Sequence, residues 1–149
     1  MLAGHVGMQL PTVSLLITRG DIATAELDWQ SASRWYRQAL RTATLAGARG
    51  VVAVALRHYA ALCVALGEPA RAVRIFGATA SIRKAPLLIH IPMVDEDIIA
   101  TARRTLRDDE LAIAWTEGQS MTLEQVMTQI VGAPLDAEIG SPERDDDDA

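Results

Sequence analysis

The sequence predicts an all-α fold built from repeated helix pairs. Half of the 149 residues are apolar but only 4% are aromatic, so the core must be packed by small side chains on closely approaching helices. The chain also matches itself at an offset of 40 positions, because residues 27–40 realign with residues 67–80. A turn, a small residue and an aromatic residue repeated at fixed offsets are typical of stacked helix pairs, which offer surfaces for holding another molecule.

The first helix pair is predicted over about residues 13–46, after a flexible N-terminus of residues 1–12. Gly20 lies inside the first helix, where a missing side chain would let the partner helix come close. Asp28 is a good N-cap for the second helix, which is expected to end at Gly47.

The second pair is predicted over about residues 49–84, with a turn at Gly67 and with Pro69 opening its second helix. Small residues are expected where two helices cross, and large ones where the pair meets its neighbour. The equivalent positions in the two pairs are Ala32 and Ala72, Tyr36 and Phe76, and Ala39 and Thr79.

A connector of residues 85–94 follows, in which Pro86 and Pro92 oppose helix formation. Residues 95–131 then predict three capping helices. The first runs from Asp95 to about Arg107, the second covers about residues 109–118, and the third ends at Gly132.

Two side chains carry the prediction of the cap. Thr122, with Gln125 three positions later, has the pattern of an N-terminal capping box for the third capping helix. Trp115, in the short second capping helix, is expected to anchor the cap on the repeats.

Charge is unevenly distributed. The net charge is -5, but residues 136–149 alone carry seven acids and one arginine. Residues 132–149 are therefore predicted to be a disordered acidic tail that aids solubility, with a specific role in binding a basic partner as the alternative. Between positions 19 and 107 the chain has thirteen lysines and arginines but only seven acidic residues. This excess of positive charge is the best argument for direct nucleic-acid binding, although aromatic residues do not interleave with the basic ones.

Composition also bears on location. The single cysteine, Cys63, indicates a reducing compartment. No lysine or arginine precedes Arg19, so the N-terminus lacks the charged region of a signal peptide. The most apolar stretch, residues 51–66, is too short to span a bilayer. We expect a cytoplasmic protein that does not enter the membrane.

No pattern in the sequence predicts catalysis, a cofactor or a metal site. His5, His58 and His90 lack the spacing of metal ligands, and Cys63 is expected to be a small core residue. The acidic residues 108–110 are explained as the start of a helix.

The two pairs resemble tetratricopeptide repeats, and residues 15–131 are similar to the C-terminal part of bacterial LuxR-type and AfsR-like ATPase transcriptional regulators. The matching segments are GEPARAVRIFGATASIRKA, a proline-containing connector, and ARRTLRDDELAIAWTEGQSMTLEQVMTQIV. The resemblance implies TPR-like helical-hairpin repeats wound as a right-handed α-α superhelix and closed by C-terminal capping helices. Since the chain lacks a phosphate-binding loop and a helix-turn-helix, it implies the sensing or partner-binding end of such a regulator.

The function expected from these observations is a non-catalytic module that binds a protein, a peptide or a small effector. The first helix of each pair should line a concave groove, in which Arg57 is expected to hold a carboxylate of the ligand. The predicted groove residues are Ile17, Asp21, Thr24, Arg57, Ala61 and Val64. The first alternative is a structural remnant or subunit that uses its first helix either to fold on upstream regulator domains or to dimerise. Direct nucleic-acid binding is a weaker alternative.

Overall fold

Helices account for most of the chain that the computed structural model describes, which is residues 2–82 and 94–132. No strand occurs in these two ranges, which confirms the all-α fold class. The elements are α1 (Leu2–Ala25), α2 (Trp29–Leu45), α3 (Arg49–Ala65), α4 (Pro69–Ile82), α5 (Val94–Thr105), α6 (Asp108–Gln119) and α7 (Leu123–Gln125), which continues as a π-helix over Val126–Val131.

The first four helices are joined by three turns of the same design. Leu27, Gly47 and Gly67 each have positive φ, at 62°, 69° and 79°. In each turn the next amide donates to the carbonyl five residues earlier, which is the hydrogen bond of a Schellman motif. These bonds are Asp28 to Ala23 at 2.8 Å, Ala48 to Ala43 at 3.2 Å and Glu68 to Cys63 at 2.8 Å. The turns therefore recur every 20 residues.

The predicted helix starts are confirmed by their caps. The Asp28 side chain accepts a hydrogen bond from the Ser31 amide at 3.3 Å, and Pro69 is the first residue of α4. Thr122 and Gln125 exchange side-chain and backbone hydrogen bonds of 2.9 and 3.2 Å, which is the expected capping box.

The repeat-equivalent residues form the core, as predicted. Tyr36 and Phe76 are 3% and 4% exposed, and the small equivalents Ala32 and Ala72 are fully buried. A Cβ on Gly20 would lie 2.5 Å from Cδ1 of Tyr36, so the absence of that carbon lets α2 approach α1. This confirms the packing role predicted for the glycine.

Helix α6 closes the repeats by packing directly on α4. A Cβ on Gly118 would overlap the carbonyl oxygen of Arg74, and one on Gly77 would overlap that of Trp115. The two helices therefore touch through their backbones. Trp115 is half-buried beside this crossing and packs against both hydrophobic clusters of the core, in agreement with its predicted anchoring position.

Several boundaries differ from the sequence prediction. Helix α1 begins at Leu2, so the predicted flexible N-terminus of residues 1–12 is helical from its second residue. Pro11 lies inside this helix, where it removes one backbone donor. The predicted connector lies outside the described residues up to Val94, where α5 begins, and the predicted tail lies outside them after Gly132.

Candidate functional site

The predicted groove residues lie on two helices, α1 and α3. They are Ile17, Asp21 and Thr24 on α1, and Arg57, Ala61 and Val64 on α3. Ile17 and Arg57 are buried, with exposures of 8% and 3%, whereas the other four are exposed or partly exposed. Arg57 is thus enclosed by the fold and does not present its guanidinium to solvent as a ligand-binding group would.

Asp21 is the centre of a polar cluster that joins three helices. Its Oδ1 accepts a hydrogen bond from the Tyr36 hydroxyl at 2.5 Å and lies 2.9 Å from Nδ1 of His58. The hydroxyl of Thr24 lies 3.3 Å from the Tyr36 hydroxyl. We call Asp21, Thr24, Tyr36 and His58 the polar cluster. It brings together two predicted groove residues and two residues that the sequence did not assign to the groove.

The protonation pattern of the polar cluster follows from its chemistry. Burial, and then the hydrogen bond to Asp21, raise the pKa of Tyr36 well above its ordinary value, so its hydroxyl keeps the proton that it donates. Because an ionised carboxylate only accepts hydrogen bonds, Nδ1 of His58 must also be a donor. The other ring nitrogen, Nε2, then remains for a further contact.

The polar cluster is accessible from solvent. The side chains of Asp21 and His58 are 48% and 33% exposed. No described residue forms a hydrogen bond with Oδ2 of Asp21 or Nε2 of His58. Each of these atoms is an acceptor when His58 is neutral, so together they suit a ligand that donates hydrogen bonds.

Cys63 takes no part in this site. The thiol is fully buried, and burial raises its pKa to about 12, so it has almost no thiolate at neutral pH. This confirms its prediction as a core residue. His5 and His90 fall among the side chains that are not described, and the described residues contain no group of three or more His, Cys, Asp or Glu arranged to hold a metal ion.

A second polar surface lies on α2. Arg34, Arg37 and Arg41 line a shallow depression of about 680 Å³ whose described walls are all α2 side chains. We call these three residues the arginine face. Arg37 donates a hydrogen bond to the Tyr59 hydroxyl at 3.3 Å, whereas Arg34 and Arg41 are exposed.

An apolar surface lies on the outer side of α1. Leu15 and Ile22 are 52% and 53% exposed, and their spacing of seven residues places them on one side of the helix. Arg19 lies between them, with its guanidinium 4.9 Å from the centre of the Trp35 ring. We call Leu15 and Ile22 the outer face of α1.

One sequence signal could have located the polar cluster. Tyr36 stands where the second repeat has Phe76, and a buried tyrosine hydroxyl needs a hydrogen-bond partner. The position of that hydroxyl next to Asp21 and His58 depends on how three helices pack, which the sequence pattern does not specify.

Comparison of the chain with protein families, curated proteins and solved structures finds no match. Among the described helices, none is long and apolar enough to cross a membrane.

Proposed function

We propose that the chain is a non-catalytic, cytoplasmic protein-interaction or effector-sensing module with TPR-like repeats, belonging to a bacterial LuxR-type or AfsR-like transcriptional regulator. The observation that carries the proposal is the polar cluster, which spans the first helices of two successive pairs, α1 and α3, and is open to solvent. The regulator assignment is supported by the sequence resemblance of the second repeat, the connector and the capping segment.

The chemistry of the polar cluster indicates the class of ligand. Oδ2 of Asp21 offers a carboxylate acceptor, and Nε2 of neutral His58 offers a second acceptor nearby. A peptide or small effector that carries an ammonium or guanidinium group matches both, because charge-assisted hydrogen bonds are the strong ones. The site therefore favours a basic ligand, rather than the carboxylate expected from Arg57.

Selection from a random displayed-peptide library on the full chain tests this proposal. We expect the enriched peptides to contain lysine or arginine and to bind with measurable fluorescence anisotropy. Asp21→Asn should weaken their binding about tenfold, which corresponds to about 1.4 kcal/mol.

Glu26→Gln is the matched control, because it removes another exposed carboxylate near the end of the same helix. It should leave the affinity unchanged. Failure to enrich any basic peptide, or equal binding to wild type and Asp21→Asn, would contradict the assignment of the polar cluster.

A second candidate function is association through the first helix, either with another copy or with another subunit. The observation that favours it is the outer face of α1, where two large apolar side chains are about half-exposed. Light scattering over a concentration series should then show a dimer that Leu15→Gln with Ile22→Gln abolishes. Ile113→Gln, at another exposed isoleucine (58%), is the control, and a wild-type monomer at all concentrations would argue against self-association.

A further inference from the structure

The arginine face is the most cationic surface of a single described helix. Helix α2 contains three arginines and no acidic residue. Arg34, Arg37 and Arg41 are spaced by three and four residues, so they follow one side of the helix. The three residues therefore form a positive strip along the helix.

Two of these arginines have their charge available. Arg34 and Arg41 are exposed, and neither forms an ion pair with any described carboxylate. Arg37 is held in place between them, with its guanidinium 6.0 Å from the centre of the Tyr59 ring. The central Arg37 is thus held in position, while Arg34 and Arg41 on either side of it are exposed. This arrangement suits an extended anion.

The chain itself supplies a segment of matching charge. Residues 136–149 carry seven acids, including the run Asp145–Asp148. Seven helical residues rise about 10.5 Å from Arg34 to Arg41, and four consecutive residues of an extended chain cover about 10 Å or slightly more. The run of aspartates and the arginine face therefore have similar lengths.

The C-terminal segment is long compared with α2. Seventeen residues follow Gly132, and they can span up to about 56 Å. The whole of α2, at 17 residues, is only about 26 Å long. A flexible tether that spans the two sites gives an effective concentration in the millimolar range, at which even a weak contact is populated.

We propose that the arginine face is a docking surface for the acidic C-terminal segment of the same chain, residues 136–149. The contact is electrostatic and in cis, and it limits access of other polyanions to α2. High salt weakens it, because the Debye length falls to about 3 Å at 1 M.

Paramagnetic relaxation in the full-length chain tests the proposal. A spin label is attached at Ala149→Cys, and the native Cys63 stays unmodified because it is fully buried. We expect the label to reduce the amide signals of α2 near Arg34 and Arg41 at low salt, and 1 M NaCl to restore them. Signals of α6 should remain unaffected.

The variants separate charge recognition from general proximity. Arg34→Glu with Arg41→Glu should abolish the loss of signal, whereas the equal charge change Arg103→Glu with Arg104→Glu on α5 should preserve it. Should the α2 variant fail to fold, replacement of Asp145–Asp148 by asparagine provides the same test without altering any described helix.

Four results would overturn the proposal. One is the absence of any effect on α2, and another is an effect that persists after the α2 charge reversal. The third is loss of signal in ¹⁵N-labelled chains that are mixed with separate spin-labelled chains, which would show contact between copies. Binding of single-stranded DNA that is equally strong with and without the aspartate run would also contradict occupation of the face by the tail.

Discussion

Adding one methyl group at Gly118 tests whether α4 and α6 are in direct backbone contact. In Gly118→Ala the new Cβ would overlap the carbonyl oxygen of Arg74 and would lie 2.8 Å from its carbonyl carbon. It would also lie 3.0 Å from the amide nitrogen of Ala78, whereas ordinary contacts begin at 3.4 Å. All of these atoms are backbone, so a change of rotamer cannot relieve the overlap and the helices must move apart.

The expected loss of stability follows from two opposing terms. Overpacking of a tight interface costs up to about 3 kcal/mol. Replacing a helical glycine by alanine recovers about 1 kcal/mol of helix propensity. The free energy of unfolding should therefore fall by about 2 kcal/mol, which lowers the melting temperature of a chain of this size by about 4–8 °C.

Urea unfolding followed by far-UV circular dichroism and by tryptophan fluorescence measures this loss, since Trp115 lies beside the crossing. Gln119→Ala is the control, because it alters the neighbouring exposed residue of α6 and leaves the crossing intact. A Gly118→Ala protein that is as stable as wild type would refute the close contact between the two helices.

Three further predictions concern the turns and the buried hydroxyl and thiol groups. Leu27→Gly should raise the free energy of unfolding by about 1 kcal/mol, because glycine adopts the left-handed backbone conformation without strain and the leucine side chain that is lost is 68% exposed. Gly67→Leu should lower the free energy of unfolding by a similar amount. A lower urea midpoint for Leu27→Gly than for wild type would contradict this reasoning. Tyr36→Phe should cost about 1 kcal/mol in the same assay through loss of its hydrogen bond to Asp21, and an unchanged midpoint would show that the bond contributes nothing. Stability should fall as pH rises from 9 towards 12, because the thiol of Cys63 ionises in the unfolded chain near its ordinary pKa of 9.0 but in the folded chain only at about 12. Cys63→Ala should reduce the slope of the urea midpoint against pH in that window, and an unchanged slope would show that the thiol is not its source.

The local signals in the sequence predicted the helix pairs well. Asp28 and Thr122 each accept a capping hydrogen bond from a nearby amide, Pro69 takes the first position of α4, and the three helices begin as expected. The turn at Leu27 was also located correctly although it lacks glycine, because the repeat fixes its position at an offset of 40 from Gly67. Signals that depend on a few adjacent residues are therefore reliable in this chain.

Features that depend on packing between distant helices were predicted incompletely. The sequence assigned Asp21 to a groove but not to its contacts with Tyr36 and His58, which require α1, α2 and α3 to meet at one point. Arg57 was expected to face a ligand from its position on α3, yet it is 3% exposed. A sequence period gives the direction of a side chain on its own helix, and does not show what covers it.

The crossing at Gly77 and Gly118 determines where further helices could be added to this protein. Helix α6 covers α4 so closely that no side chain fits between them, and a further helix pair could not take that place without removing α6. On α1, by contrast, Leu15 and Ile22 are about half-exposed. A helix pair added beside α1 would therefore leave the contact between α4 and α6 intact, whereas a pair added on this side of α4 would have to displace α6.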